Sequence, residues 1–506
     1  KAQDSAPSVV LPCCTTHRAP TSALNFLEAG KVPNHFFWHK RNNHHSTYRG
    51  VGTSRNNTML RLAATRAAPV IATGAVGAWA AVTTSNDDWD EYFPPAPAST
   101  DRERIVILGS GWAGLNAMKK CGGEGKDVVV VSPRPHFLYT PLLAGSAVGT
   151  TTLRSVCEPI RAVIENSWTT DAKFIRADAR AIDAAKKTVS LKTGDGDKNL
   201  ELPYDKLVIA VGAQPNTFGI PGVQENALFL KEAEDSAKLH ARLLSNLERA
   251  SAALACGECN QVVDALLTVV VVGGGPTGVE LCAELADFRK DDIARRYGDE
   301  IADRFRIVLA EAMPRVLGPF DPQLADLART HLETRGVEVR EKCAVTGVTA
   351  DAVTYQPSLP RSATAEEKSA AAAEAKTEKV GALVWAAGIG ARPVVKRLAQ
   401  HLGQGENARG LKVDDRLQVL GADGVFAIGD CALSGNAPTA QVAAQQGKYV
   451  GRAIRDRSTD PFVYRHAGSL CCLGFGNAIA QLQPQHQAWR SLHSAANTKV
   501  VGEDQR

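Results

Sequence analysis

The chain has 506 residues, a formal net charge of +4, 44% hydrophobic and 22% charged residues. That is room for two or three domains of about 150 residues each, with ordinary globular composition and a sizeable core. No basic stripe interleaved with aromatics is present, which excludes nucleic acid as a partner. No run reaches the roughly 18 to 20 apolar residues that span a bilayer, which excludes a proton channel of its own.

Residues 1–100 do not read as a folded domain. Up to Asn86 the only acids are Asp4 and Glu28, against many Arg, Lys and His. Around Met59 the text runs Met-Leu-Arg-Leu-Ala-Ala-Thr-Arg-Ala-Ala-Pro, with Arg61 and Arg66 among small apolar residues, as in an organelle presequence. Met59 is the expected start, residues 1–58 upstream sequence or a longer leader, and 59–100 a presequence closed by the stiff linker Pro94-Pro95-Ala96-Pro97. The stretch Pro69 to Val82 is too short and too rich in Gly and Ala to span a membrane.

Order is expected from Arg104. Ile105 to Leu108 is a buried-strand run that ends in Gly109-Ser110-Gly111-Trp112-Ala113-Gly114 and opens a helix. In such a strand–turn–helix unit Gly109 allows the tight turn, Gly111 lets a pyrophosphate approach the backbone, and Gly114 lets helix and strand pack. The helix N-terminus offers free N–H groups and about half a positive charge to the phosphates. Val128 to Val131 is the next strand, ending at Ser132-Pro133-Arg134, where a ribose-binding acid would be the simple rule. Leu207 to Val211 is a third strand, ending at Gly212. Glu225 to Leu254 has helical spacing.

A second unit opens at Thr268. Val269 to Val272 leads into Gly273-Gly274-Gly275-Pro276-Thr277-Gly278. Two fingerprints in one chain ask for two dinucleotides, and the natural pair is FAD and NAD(P)H. Ile307 to Ala310 is the following strand, and Glu311 ends it. A carboxylate there accepts both ribose hydroxyls of NADH and repels the added phosphate of NADPH. Glu280, in the first turn of the second helix, at the least complements the helix dipole.

Residues 356–380, rich in Ala, Glu, Lys and Ser, read as an exposed insertion. Late in the chain Gly424 to Ile428 is a strand that delivers Gly429 and Asp430 onto a glycine turn. In two-domain flavoproteins such an Asp holds the ribityl chain of FAD. Thr439 to Ile454 is helical, and within it Gln441 and Gln445 lie four apart on one face. By itself that pair also fits a solvated helix face.

The fold class expected is α/β: two Rossmann-type dinucleotide-binding domains behind a disordered N-terminal leader. The FAD domain is discontinuous, 101–222 and 391–455. A helical connection at 223–265 leads to the NADH domain at 266–390, and 456–506 is a C-terminal segment. The cysteines are scattered. Cys256-x-x-Cys259 has no second pair or nearby histidines to make a zinc site, so no metal is expected.

Tyr204 to Leu207 with Ala213 to Gly222 closely resembles the type II, or alternative, NADH dehydrogenases of mitochondria and bacteria. So do Ser132-Pro133-Arg134 with Phe137 to Leu143, Val272 to Glu280, and Leu383 to Gly388 with Ala391-Arg392-Pro393. The resemblance runs in order from about Arg104 to Leu482. It implies an NADH:quinone oxidoreductase that pumps no protons, with Thr140, Arg134, Ser132 and Gly388 among the cofactor-binding residues. Ala440-Gln441-Val442-Ala443-Ala444-Gln445 matches the family's quinone-site signature, so Gln441 and Gln445 are expected to donate to quinone carbonyls beside the flavin. Glu280 is expected to pass protons there. The resemblance further implies a ubiquinone-type quinone, a homodimer, and peripheral attachment to the mitochondrial inner membrane. The leader composition alone fits a plastid address too.

Two rivals accompany this reading. A disulfide or sulfide:quinone reductase needs a redox cysteine pair at the flavin. An NADH-sensing flavoprotein resembling apoptosis-inducing factor would bind both nucleotides and act through partners. The expected departure from the family is the tail. Gln483 to Arg506 turns polar with no apolar helical stripe, so the membrane-seating helices are not expected in this chain.

Overall fold

The computed structural model describes residues 9–12, 101–167, 172–194, 199–360, 362–405, 407–474 and 476–482. The expected presequence, the linker and the polar tail lie outside the described residues. Of the expected upstream segment only Val9–Pro12 is described; it pairs antiparallel with the strand Asn477–Gln481.

The elements that position the site are, in chain order, β1 (Glu103–Leu108), α1 (Trp112–Cys121), β2 (Lys126–Val131), β3 (Ala172–Ile175), β4 (Lys206–Ile209), β5 (Leu228–Phe229) and α2 (Ala233–Ala255). They continue with β6 (Thr268–Val272), α3 (Pro276–Phe288), β7 (Arg306–Ala310), β8 (Val337–Arg340), β9 (Ala382–Trp385), β10 (Val425–Ala427), α4 (Ala440–Asp456), β11 (Ser469–Gly474) and β12 (Asn477–Gln481).

Two five-stranded parallel sheets carry the molecule. The first has the order β10-β4-β1-β2-β3, the second β5-β9-β6-β7-β8. In each the glycine fingerprint follows the central strand, β1 or β6. Each half then repeats the same excursion. After β3 the chain makes a three-stranded antiparallel sheet from Asp178–Asp183, Thr188–Lys192 and Asn199–Pro203 before β4. After β8 it does so with Cys343–Val348, Ala352–Pro357 and Lys376–Lys379 before β9. The strands are Val- and Ile-rich because both faces are covered. Ile105 to Leu108 and Val270 to Val271 have no exposed surface.

The insertion at 356–380 is thus part of this excursion: an exposed helix, Ala365–Ala373, and an edge strand. The expected helix over 225–254 starts later, at Ala233. Leu228–Phe229 is drawn into the second sheet beside Val384–Trp385, and a capping box between Glu232 and Asp235 begins the helix after it.

The first sheet takes β10 from beyond the second sheet in sequence. Helix α4 then returns to lie on α1. A Cβ on Gly447 would stand 2.3 Å from the Ala113 carbonyl oxygen, and one on Gly451 2.6 Å from that of Ala117. Only glycines four apart allow the two backbones this approach. Among the described residues no helix is long and apolar enough to cross a membrane.

Candidate active site

The C-terminal ends of β1 and β4, with the turns that follow β2 and β10, enclose a cavity of about 820 Å³. This is where an open parallel sheet presents its crevice, outside the carboxyl ends of the strands. Its wall includes Gly109, Gly111, Ser132, Arg134, Thr140, Gly212, Gly429 and Asp430, all anticipated as cofactor-binding.

The first turn is built by contact. Gly109 has φ +109°, and a Cβ there would sit 2.3 Å from the Ala210 carbonyl oxygen. A Cβ on Gly114 would sit 1.9 Å from the Gly109 oxygen, so helix and strand touch where the sequence pattern says they must. The buried Ser110 hydroxyl lies 3.0 Å from that of Ser132 and donates to the Arg134 carbonyl at 3.0 Å. Ser132 in turn accepts the Arg134 N–H at 3.2 Å. Thr140 accepts the Trp112 indole N–H at 3.1 Å.

Sequence reasoning anticipated Arg134 and Asp430 on this wall but missed their charged partners. Glu232, the N-cap of α2, takes Arg134 at 2.5 Å and Arg392 at 3.1 Å, while Lys231 stands 3.4 Å from Asp430. The Nε atoms of Arg134 and Arg392 are buried without a hydrogen-bond partner, a cost that a bound phosphate or carbonyl would relieve. Gln446, fully buried, accepts the Gly429 N–H at 2.7 Å and donates to Ser434 at 2.8 Å. The only local signal for it was the second Gln of a Gln-Gln pair. The cradle of glycines, the helix N-terminus and the orphaned guanidinium nitrogens together fit a dinucleotide such as FAD.

The second fingerprint repeats the first to the same spacing. A Cβ on Gly278 would lie 1.9 Å from the Gly273 oxygen, and Gly273 has φ +111°. Gly275 faces open space. Glu311, at the end of β7, lies against this turn and accepts the N–H groups of Gly274 at 2.5 Å and Met313 at 2.6 Å. Gly388 closes the end of β9 with φ +69°, under the ring of Phe218. These residues do not line the first cavity. The helix that leaves this turn does reach it: Pro276, Thr277 and Glu280 are in its wall.

Glu280 accepts the Cys472 main-chain N–H at 3.2 Å. Burial pushes its carboxyl up to about 7, against the Cys472 N–H, which favours the anion; the Glu284 carboxylate one turn on adds to the rise. Burial raises Glu284 as well, although Thr150 donates to it at 2.9 Å. A carboxyl poised near neutral pH on a cavity wall is suited to proton transfer.

Gln441 and Gln445 make their hydrogen bonds within the protein. Neither lines the cavity; their neighbours Ala440 and Ala443 do. The Gln441 oxygen accepts the Tyr464 hydroxyl at 2.5 Å and the Ala467 N–H at 2.9 Å, and its nitrogen donates to the Gly468 carbonyl at 3.4 Å. Gln445 accepts the Arg465 N–H at 3.0 Å and donates to the Arg465 carbonyl at 2.7 Å. The irregular segment before β11 takes up both amides.

Among the described residues no cysteine is in the cavity wall, although Cys472 touches it through its N–H to Glu280. Cys256 and Cys259 are exposed on either side of a short turn, and the Cys431 thiol is buried and donates to the carbonyls of Ile209 and Ile428. The redox pair that a disulfide reductase needs at its flavin is not at this wall.

The pyridine nucleotide-disulphide oxidoreductase family matches residues 103–447. The external alternative NADH-ubiquinone oxidoreductase of Yarrowia lipolytica mitochondria is 35% identical over 436 residues, which cover 76% of this chain and 72% of that protein. External NADH-ubiquinone oxidoreductase 2 of Saccharomyces cerevisiae mitochondria is 34% identical over 437 residues, 78% of this chain and 77% of the relative. Among solved structures, NDH2 from Plasmodium falciparum in complex with NADH superposes with a TM-score of 0.68 at 25% identity, covering 76% of this chain and 90% of that one. The duplicated glycine turns, the carboxylate at the second and this similarity over most of both chains agree: the chain belongs to the pyridine nucleotide-disulphide oxidoreductases and, within them, to the alternative NADH-ubiquinone oxidoreductases.

Proposed function

We propose that this chain oxidises NADH and reduces a ubiquinone-type quinone, through FAD and without moving protons across a membrane. The observation that carries the reading is the wall shared by two fingerprints: Thr277 and Glu280, from the helix of the second, border the cavity of the first. Helix α3 thereby carries residues of the NADH half to the wall that would hold FAD, the closeness a hydride transfer would need.

Bound FAD supplies the redox chemistry, accepting hydride from NADH and passing two electrons to the quinone. The protein supplies the rest. Gly109, Gly111 and the N-terminus of α1 receive the FAD pyrophosphate. Asp430 holds the ribityl chain, with Lys231 keeping the carboxylate in place. Gly273, Gly275 and the N-terminus of α3 receive the NADH pyrophosphate, and Glu311 takes its ribose hydroxyls. Residues 101–222 with 391–455 form the FAD half and 266–390 the NADH half. The net reaction takes one proton from solution for each quinone reduced, and Glu280 is the group placed to deliver it.

Quinone enters beside Leu470, which lines the cavity and is 59% exposed. Leu142, 42% exposed, adds apolar surface next to the cavity residues Thr140 and Leu143. Both suit a peripheral seat on the mitochondrial inner membrane, and the Yarrowia and Saccharomyces relatives carry mitochondrial names. A homodimer is part of the same reading.

The test is steady-state NADH oxidation by purified, FAD-loaded protein on vesicles that contain ubiquinone and a pH-sensitive dye. Quinone-dependent oxidation with no internal pH change is expected. NADH oxidation that ignores quinone, or a pH gradient coupled to turnover, would overturn the proposal.

A further inference from the structure

The strand Ala213–Pro215, which leaves the first sheet, runs antiparallel to Ile389–Ala391, which leaves the second. Just past this ribbon the chain turns. The Ile220 N–H donates to the Thr217 carbonyl at 3.0 Å, and the two residues between, Phe218 and Gly219, have φ of +53° and +73°. Two successive positive φ values are the type I′ pattern, which takes Asn, Asp or Gly. A phenylalanine in the first of these positions is strained. Burial does not offset the strain, because the side chain is 60% exposed. The ring rests on Gly388, where a Cβ would stand 2.3 Å from its Cζ, and its centroid lies 6.5 Å from that of the buried Trp385. The turn is held in place from below. The Phe218 N–H donates to the Asn216 Oδ1 at 3.0 Å, and the Asn216 carbonyl accepts the Trp385 indole N–H at 2.9 Å. Strained residues that their surroundings fix in this way cluster where ligands bind.

The place is the switch point of the second sheet. In the order β5-β9-β6-β7-β8 the chain leaves β6 toward β7 on one side, and β9 lies on the other. A doubly wound sheet seats its nucleotide in that crevice, outside the carboxyl ends of the strands. Its two sides here are the turn at Gly273 and the run 386–388. The nearest atoms to a Cβ on Gly273 belong to Ala386 and Ala387, at 2.9 Å. On the NADH reading Glu311, at the end of β7, takes the adenosine ribose. The other half of the nucleotide then runs the opposite way, past Gly388 at the end of β9, where the Phe218 ring stands.

We propose that Phe218 is a nucleotide-binding residue: its exposed ring, seated on Gly388, is the apolar wall for the nicotinamide half of NADH. The proposal rests on the NADH reading of the second fingerprint. A flat, rigid ring offers a large contact area to a ribose or a nicotinamide face. The adenosine half lies on the far side of the glycine turn and does not reach it. The ring therefore adds affinity for NADH and NAD+ and none for ADP.

The test uses the full chain with FAD bound, as Phe218→Ala, Phe218→Gly and the ring-retaining Phe218→Tyr. Titration calorimetry with NAD+ and with ADP reads binding without turnover, and anaerobic flavin bleaching over a range of NADH concentrations reads the reduced nucleotide. In Phe218→Ala and Phe218→Gly, NAD+ and NADH are expected to bind weaker by about tenfold or more, with ADP within about twofold of wild type. Phe218→Tyr is expected within about twofold for all three. Thermal unfolding separates a merely structural role. Glycine adopts φ +53° without strain, so Phe218→Gly is expected to melt no lower than wild type although it binds NAD+ weakly. A ring that only staples the turn would lower Tm in both ring-deleted variants and weaken NAD+ and ADP alike, and that result would overturn the proposal. So would unchanged NAD+ and NADH affinity in both. If the wild-type flavin is not bleached by NADH, the nucleotide reading itself fails and the proposal falls with it; normal bleaching with unchanged affinities overturns the proposal alone.

Discussion

The carboxylate of Glu311 accepts the Gly274 main-chain N–H at 2.5 Å, which fixes a negative charge on the lip of the second glycine turn. A second bond, from Met313, leaves the carboxylate little freedom to swing away. The added phosphate of NADPH meets that charge at a cost of up to about 4 kcal/mol at 4 Å and an effective dielectric near 20. Even about a quarter of this is a factor of roughly five. Glu311→Gln should therefore lower the ratio of kcat/KM for NADH over NADPH by about fivefold or more. An unchanged ratio in steady-state assays with both nucleotides would take Glu311 out of nucleotide selection.

The two fingerprints differ in what their loss should remove. In Gly114→Ala and Gly278→Ala the new methyl group meets a backbone oxygen 1.9 Å away, and each turn has to open. Overpacking of this kind costs about 1–3 kcal/mol, often more against backbone. Gly114→Ala should purify with little bound flavin. Gly278→Ala should keep its flavin absorbance yet bleach slowly with NADH. The reverse assignment would exchange the two nucleotide sites.

Asp430 and Lys231 offer a test of the FAD half on affinity alone. Asp430→Ala removes a charged acceptor from the cavity wall and leaves Lys231 without its 3.4 Å partner. Loss of hydrogen bonds to a charged group costs about 1.5–3 kcal/mol, so FAD should bind more weakly. We expect retention weaker by at least about tenfold, measured by titrating the stripped protein with FAD. Equal affinity would mean that Asp430 does not touch the cofactor.

Glu280 sets the pH dependence of the second half-reaction. Its carboxyl is pushed up to about 7 by burial, so it is protonated at pH 6 and mostly ionised at pH 8. A proton donor works in its protonated form. Flavin reoxidation by quinone should be level below about pH 7 and fall above it. In Glu280→Gln the limb should vanish and the rate at pH 6 should drop by about 10²-fold or more. A limb that survives this substitution would assign the titration to another group.

Much of the fold was legible because its signals are local. A run of aliphatic residues that ends in glycines fixes a strand, a turn and a helix start within about fifteen residues, and this happens twice, after Ile105 to Leu108 and after Val269 to Val272. Glu311 was legible from strand order alone, since the acid at the end of the second strand must lie beside the first turn. The parts that were not legible are long-range. Nothing in the neighbourhood of Glu232 says that Arg134 and Arg392 will converge on it, and nothing near Cys472 points to Glu280. The glutamine pair shows the limit most clearly. Its spacing places two amides on one helix face, as read from sequence. What that face meets is an irregular segment some twenty residues on, which carries no periodicity. The break in the expected helix near Leu228 has the same origin, because a partner strand, Val384–Trp385, claims two residues of a helix-like pattern.

The central claim is a two-step electron path through one bound flavin. Its most direct test follows the flavin absorbance near 450 nm, under anaerobic conditions, on purified FAD-loaded protein. NADH is added first and a short-chain quinone second. The account predicts rapid bleaching and then rapid, complete recovery. Bleaching that quinone does not reverse would contradict it, and would leave a flavoprotein that binds and oxidises NADH with no route for its electrons to a quinone.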